Sequence, residues 1–190
     1  MVYPNEQVSP KLTKKINDTF ILGKERTEQH DIKFPIEQLV EIALRAISPA
    51  VNDPFTAIRC IDRLCAGLSR IAQRNIPSPY RYDDRGILRV IAEPVTFPEL
   101  VDRAFDQIRQ YARSDVAVTI RLLEAIAVIA TYTRTAEQRA VLKRHATMIE
   151  RGSHEGLSEE YDRREVKARY ERVLQALHQS GESKLQTGQI

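Results

Sequence analysis

The apolar residues of this chain recur at helical spacing, three and four apart, over most of its length. From Lys11 to Leu22, the positions Leu12, Ile16, Thr19 and Phe20 predict a short helix. Gly23 would stop it, because glycine takes a positive φ without strain. Lys24 to Asp31 is polar and reads as a loop or an exposed continuation. Phe34 to Ile47 places Ile36, Leu39, Val40, Ala43, Leu44 and Ile47 on one face. Pro35 suits its first turn, and Ser48-Pro49 ends it, since the residue before proline avoids the α region. A new helix starts with Asp53 as N-cap and Pro54 at the first position. Its stripe is Ala57, Ile58, Ile61, Leu64, Cys65, Leu68, Ile71 and Ala72, and it should run to about Arg74.

Between residues 75 and 96 the character changes. Pro77 and Pro79 break helix, and Tyr80-Arg81-Tyr82, the turn Asp83-Asp84-Arg85-Gly86 and Ile87 to Ala92 read as a β-hairpin. Thr96-Phe97-Pro98-Glu99 is a capping-box pattern. Leu100, Val101, Ala104, Phe105, Ile108, Tyr111 and Ala112 follow it on one face. Ser114-Asp115 caps the next helix, Val116 to about Tyr132. That helix is apolar almost all round, which places it at the centre of the fold. Within it Arg121 and Glu124 form an i, i+3 pair that can neutralise itself. Thr135 opens a helix to about Glu150, and residues 151–156, with two glycines, read as a loop. Ser158 caps a last helix to about Gln179, buried through Val166, Tyr170, Val173, Leu174 and Leu177.

These elements make a mainly α protein, an antiparallel multi-helix bundle of about six to seven helices, with one small β-hairpin near residues 80–92. Residues 1–180 are expected to form a single helical domain, and residues 181–190 a polar, disordered tail.

Composition adds limits. The 190 residues are 42% hydrophobic and 29% charged, an ordinary globular balance for one core. The longest apolar run, around Leu122 to Ala130, is far short of the ~20 residues that span a bilayer. No secretory h-region opens the chain, so it reads as soluble and cytoplasmic. Cys60 and Cys65 diverge around one helix and are expected to be reduced and packed. Net charge is +3, and the most basic region, Arg134 to Arg172, mixes ten Lys/Arg with eight Asp/Glu. That mixture is a solvated, ion-paired surface, so nucleic acid is not an expected partner.

Common catalytic patterns are missing. His30, His145, His154 and His178 have no metal-ligand spacing. The glycines build no phosphate loop, and no nucleophile elbow is present. No catalytic residue, metal or cofactor is assigned, and the reading leans away from an enzyme. Asp102 and Asp106 share a helix face and could do acid–base work if buried together. Exposed, they would simply pair with arginines.

The densest constellation is Ser48 to Thr56, followed by Arg59, Asp62 and Arg63. Asn52 and Asp53 lie at a helix N-terminus, with Thr56, Arg59 and Arg63 along one side of that helix. Free N–H groups there can hold an anion. Asp53 would itself occupy those donors, however, so the favoured reading is a structural elbow tied by the two arginines. The candidate binding or elbow set is therefore Asn52, Asp53, Thr56, Arg59, Asp62 and Arg63.

The same residues carry a resemblance. Glu25-Arg26-Thr27, Asp31 and the run Gln38 to Ala57, with its string Ser48-Pro49-Ala50-Val51-Asn52-Asp53-Pro54, are similar to the domain of unknown function 2254 family. So are Ile61-Asp62-Arg63-Leu64, Pro77-Ser78-Pro79-Tyr80-Arg81 and Phe105 to Tyr111. The likeness covers about residues 15 to 130. His30 and Pro35 are small departures, where glutamine-like and glycine-like residues would be expected. The resemblance implies a bacterial membrane protein with N-terminal spans followed by a soluble region, to which this chain corresponds. It implies no activity. The resulting expectation is an interaction or regulatory domain, membrane-associated if part of a longer parent. Its expected partners are itself, as a homo-oligomer, or the membrane-spanning part of that parent. The alternative is a small-molecule or anion-binding module, with or without enzymatic activity, centred on Asn52-Asp53-Pro54.

Overall fold

The computed structural model describes residues 8–19 and 31–186, with side chains to Glu182. Among these residues are seven helices and two strands: α1 (Pro10–Asp18), α2 (Lys33–Ala46), α3 (Pro54–Ala72), β1 (Tyr80–Tyr82), β2 (Leu88–Ile91), α4 (Phe97–Tyr111), α5 (Val116–Thr131), α6 (Ala136–Gly156) and α7 (Glu160–Gln186). The chain is mainly α with one small antiparallel sheet, as its periodicity predicts. It divides into two compact units, one containing α1 and the hairpin, the other α2 to α7.

In the first unit α1 is capped by Ser9, whose hydroxyl accepts from the Leu12 N–H at 3.2 Å. It buries none of its residues and stops at Asp18. The predicted stop at Gly23 and the loop to His30 lie outside the described residues. In the hairpin Tyr80 pairs with Ile91, Arg81 with Val90 and Tyr82 with Leu88, with a register shift after Arg81. Asp83 organises the turn: one carboxylate oxygen accepts from the Arg85 and Ile87 N–H groups, both at 2.9 Å. Gly86 closes it at φ 75°, a backbone region that glycine enters without penalty.

The second unit is built around α5. Val118, Leu122, Leu123, Ala125, Ile126, Ile129 and Ala130 of this helix are all buried. It packs on α3, α6 and α7, which is why it is apolar on nearly every side. Each such Leu or Ile contributes about 1.5–3 kcal/mol by leaving water. Several polar groups inside the unit are matched, although Ser69 Oγ and His145 Nδ1 are not. Thr119 Oγ1 donates to the Ala112 carbonyl at 3.0 Å, tying α5 to the end of α4. Gln138 completes a capping box with Thr135 and donates its amide to the Ala72 carbonyl at 3.1 Å, so one side chain closes the start of α6 and the end of α3.

Two boundaries and one buried position differ from the pattern-based expectation. α6 does not stop at Glu150 but continues through residues 151–156. Gly156 stays in the helix without a side chain, and the Arg113 backbone uses that space: a Cβ there would sit 2.2 Å from the Arg113 carbonyl oxygen. α7 likewise runs past Gly181 to Gln186, and residues 187–190 lie outside the described part. Tyr111, expected on the buried stripe of α4, is 71% exposed, although Ile108 and Ala112 on either side of it are buried.

Candidate functional site

The elbow between α2 and α3 is a closed hydrogen-bonded turn. The Val51 and Asn52 N–H groups both donate to the Ser48 carbonyl, at 3.0 and 2.9 Å. The Asp53 N–H reaches back to the Ala46 carbonyl at 2.8 Å, satisfying a carbonyl that the end of α2 would leave open. Asn52 sits at φ 49°, a left-handed conformation that asparagine tolerates better than most residues. Asp53 is the N-cap of α3: its carboxylate accepts from the Thr56 N–H at 3.1 Å and from the Thr56 hydroxyl at 2.5 Å. The Thr56 hydroxyl, then its N–H, and at longer range the Arg59 charge hold the Asp53 carboxyl below its ordinary pKa.

The structure thus joins Asn52, Asp53 and Thr56 in one turn and sends the other candidates elsewhere. Asp62 binds Arg121 of α5, carboxylate to guanidinium at 2.5 Å, and Arg121 also holds Glu124 at 3.1 Å. Arg59 and Arg63 are exposed and make no ion pair or hydrogen bond among the described residues, though the Arg59 charge acts on Asp53 at longer range. Asp102 and Asp106 do not act on each other. Asp106 pairs with Arg109 at 2.8 Å, while Asp102 accepts from Arg144 at 2.5 Å and faces the buried His145 ring at 2.7 Å.

Arg59 and Arg63 belong to a longer pattern that the sequence reading missed. Arg70 lies seven residues beyond Arg63, and 3.6 residues per turn brings Arg59, Arg63 and Arg70 within a stripe ~40° wide and ~17 Å long, with Arg74 following two residues past the end of α3. All four are exposed, and none has an ion-pair partner among the described residues. The readable signal was the seven- and eleven-residue spacing, hidden by attention to the elbow. Some helical arginines elsewhere do pair, Arg103 with Glu37 and Glu99, Arg144 with Asp102, Arg164 with Glu160 and Arg169 with Glu165, whereas Arg45, Arg151 and Arg172 have no ion pair among the described residues.

Beside this stripe an apolar groove of about 340 Å³ opens between the start of α2 and the C-terminal half of α3. Ile32, Pro35, Ile36 and Leu39 form one wall, Leu64, Leu68 and Ile71 the other, with Arg63, Arg70 and Arg74 at the rim. Gly67 also lines it, and a Cβ built there would meet nothing within 4 Å. Glycine inside a helix costs ~1 kcal/mol relative to alanine. Here that cost leaves the groove open. A second concavity, about 590 Å³, lies at the elbow between Leu44, Ile47, Ser48 and Pro49 and the end of α4, and no charged side chain lines it.

Residues 1–128 match the family described as predicted membrane protein (DUF2254). The chain belongs to this family. It is 32% identical over 160 residues to Uncharacterized protein Rv1290c of Mycobacterium tuberculosis, and to Uncharacterized protein Mb1321c of Mycobacterium bovis to the same degree. Both alignments cover 84% of this chain and 31% of the relative, so the chain spans about a third of the length of these proteins. No solved structure matches it. Among the described residues no helix is long and apolar enough to cross a membrane.

Proposed function

We propose that this chain is the docking module of a larger membrane-associated protein, and that the arginine face of α3 meets the anionic surface of the bilayer. The observation that carries this reading is the run of Arg59, Arg63 and Arg70 along α3 with Arg74 just past its end, all exposed and without an ion pair among the described residues, Arg59 alone acting at longer range on Asp53. Four guanidinium groups so placed repel one another, so a surface of this kind is stabilised by an anionic partner. The family is one of predicted membrane proteins, and this third of the relatives' length has no spanning helix among its described residues. In such a protein a part without spans can be held against lipid headgroups by its charges. Each Lys or Arg held near an anionic leaflet contributes ~1 kcal/mol. Arginine also suits phosphate, because its planar fork donates two parallel hydrogen bonds.

The elbow then has a positioning role. Its cap orients α3, and Asp53 already fills the donors an anion would need.

Cosedimentation of the chain with phosphatidylcholine vesicles, with and without phosphatidylglycerol, tests the reading. Binding should require phosphatidylglycerol, weaken with added salt, and disappear when the four arginines are changed together to glutamate. Equal binding to neutral vesicles, or full binding by the charge-reversed variant, would overturn it.

A further inference from the structure

We propose that the groove between the start of α2 and the C-terminal half of α3 holds one acyl chain of an anionic membrane phospholipid, with Arg63, Arg70 and Arg74 gripping its phosphate. This deepens the docking reading and rests on it for the source of the ligand. Three observations converge. The walls are aliphatic, supplied by Ile36 and Leu39 on one side and Leu64 and Leu68 on the other. About 340 Å³ lies in the range of ~300–1,000 Å³ typical of small-molecule sites. The rim carries three arginines that have no ion pair, and no acidic side chain lines the groove, among the described residues. An apolar slot with a one-sided cationic rim is complementary to an amphiphile that is apolar at one end and anionic at the other. A neutral apolar ligand would leave the arginines unused, and a free phosphate would leave the slot unfilled.

Gly67 makes the idea testable without damage to the fold. It is the one helical position in the groove where a side chain is missing, and added atoms would enter open space. Gly67→Leu should therefore fold, as leucine favours helix over glycine, and should occupy the slot.

The experiment uses dioctanoyl phosphatidylglycerol below its micelle concentration, so that monomeric lipid is the probe, and reads the Tm of the chain. A ligand that binds only the folded state must raise Tm as its concentration increases. Native protein should show this rise. Dioctanoyl phosphatidylcholine and the deacylated headgroup should not. Gly67→Leu should bind monomeric lipid about tenfold more weakly or worse, since several methylenes lose their contacts, yet still bind anionic vesicles through its arginine stripe. Arg70→Glu/Arg74→Glu should lose the Tm response as well. An undiminished response in Gly67→Leu, or an equal response to the headgroup alone, overturns the groove proposal. Vesicle binding with no response to monomeric lipid also overturns it and leaves docking standing. A response to monomeric lipid without vesicle binding overturns docking and supports the groove.

Discussion

His145 of α6 places its Nε2 atom 2.7 Å from Asp102 of α4, and the His145 side chain is fully enclosed. A carboxylate only accepts, so Nε2 carries the proton. Nδ1 is then left as an acceptor, buried and with no hydrogen-bond partner. Protonating His145 would create a second N–H donor with nothing to receive it. Burial accordingly pushes the His145 pKa below 6.5, against the opposing pull of Asp102.

Acid should therefore weaken the fold in two stages. The unfolded chain protonates its histidine near pH 6.5, while the folded chain resists until a lower pH, so stability falls through that interval. Asp102 acts in the same direction further down. Burial pushes its pKa up, but the hydrogen bonds from Arg144 and His145 outweigh that and hold it below 3.8, so its contribution is lost below that value. The urea midpoint should drop as the pH falls below about 6.5. His145→Gln can still donate to Asp102, and its midpoint should fall less over the same range. An unchanged slope would mean that His145 does not govern the acid response.

Two glycines of α6 should behave oppositely. At Gly156 a methyl group would meet the Arg113 carbonyl oxygen at 2.2 Å and its carbon at 2.5 Å, and this is backbone that cannot rotate aside. Gly156→Ala is expected to destabilise by ~1–3 kcal/mol, the usual cost of overpacking. At Gly152 nothing lies within 4 Å. Gly152→Ala should leave stability unchanged or add up to ~1 kcal/mol through helix propensity alone. Chemical denaturation of the pair checks the contrast.

Asp53→Ala removes the cap of α3 and should cost ~0.5–2 kcal/mol, whereas Asp53→Asn keeps a capping oxygen and should cost less. Asn52→Gly should be close to neutral, because φ 49° suits glycine, and Asn52→Val should be distinctly worse. If the elbow is structural, inorganic phosphate will not raise the Tm of the native chain through this helix end. A phosphate-dependent rise abolished by Asn52→Gly would assign it a ligand.

Much of the fold was readable because local rules and tertiary packing agree. Asp53, Asp115 and Thr135 cap the helices where their side chains predicted starts. The Arg121–Glu124 pair was visible because both partners lie on one helix face. Asp62–Arg121 and Asp102–His145 were not, since 59 and 43 residues separate their members and only the fold brings them together. His145 did carry a hint, falling in the stripe of Val141, Leu142, Ala146 and Ile149. The extension of α6 escaped notice for a different reason. Glycine in a sequence suggests a turn, and nothing local distinguishes a turn glycine from one that admits the backbone of a neighbouring helix.

The family match ends at Val128, three residues before α5 ends, yet the helix on which α5 packs most extensively is α7, which begins at Glu160. The stretch that marks ancestry and the stretch that folds as one body therefore have different edges. A fragment trimmed to residue 128 would strip α5 of its covering helix and bare part of its buried apolar surface to water or to other chains. Insoluble material from such a truncation would report a missing wall of the core, not a property of the native protein.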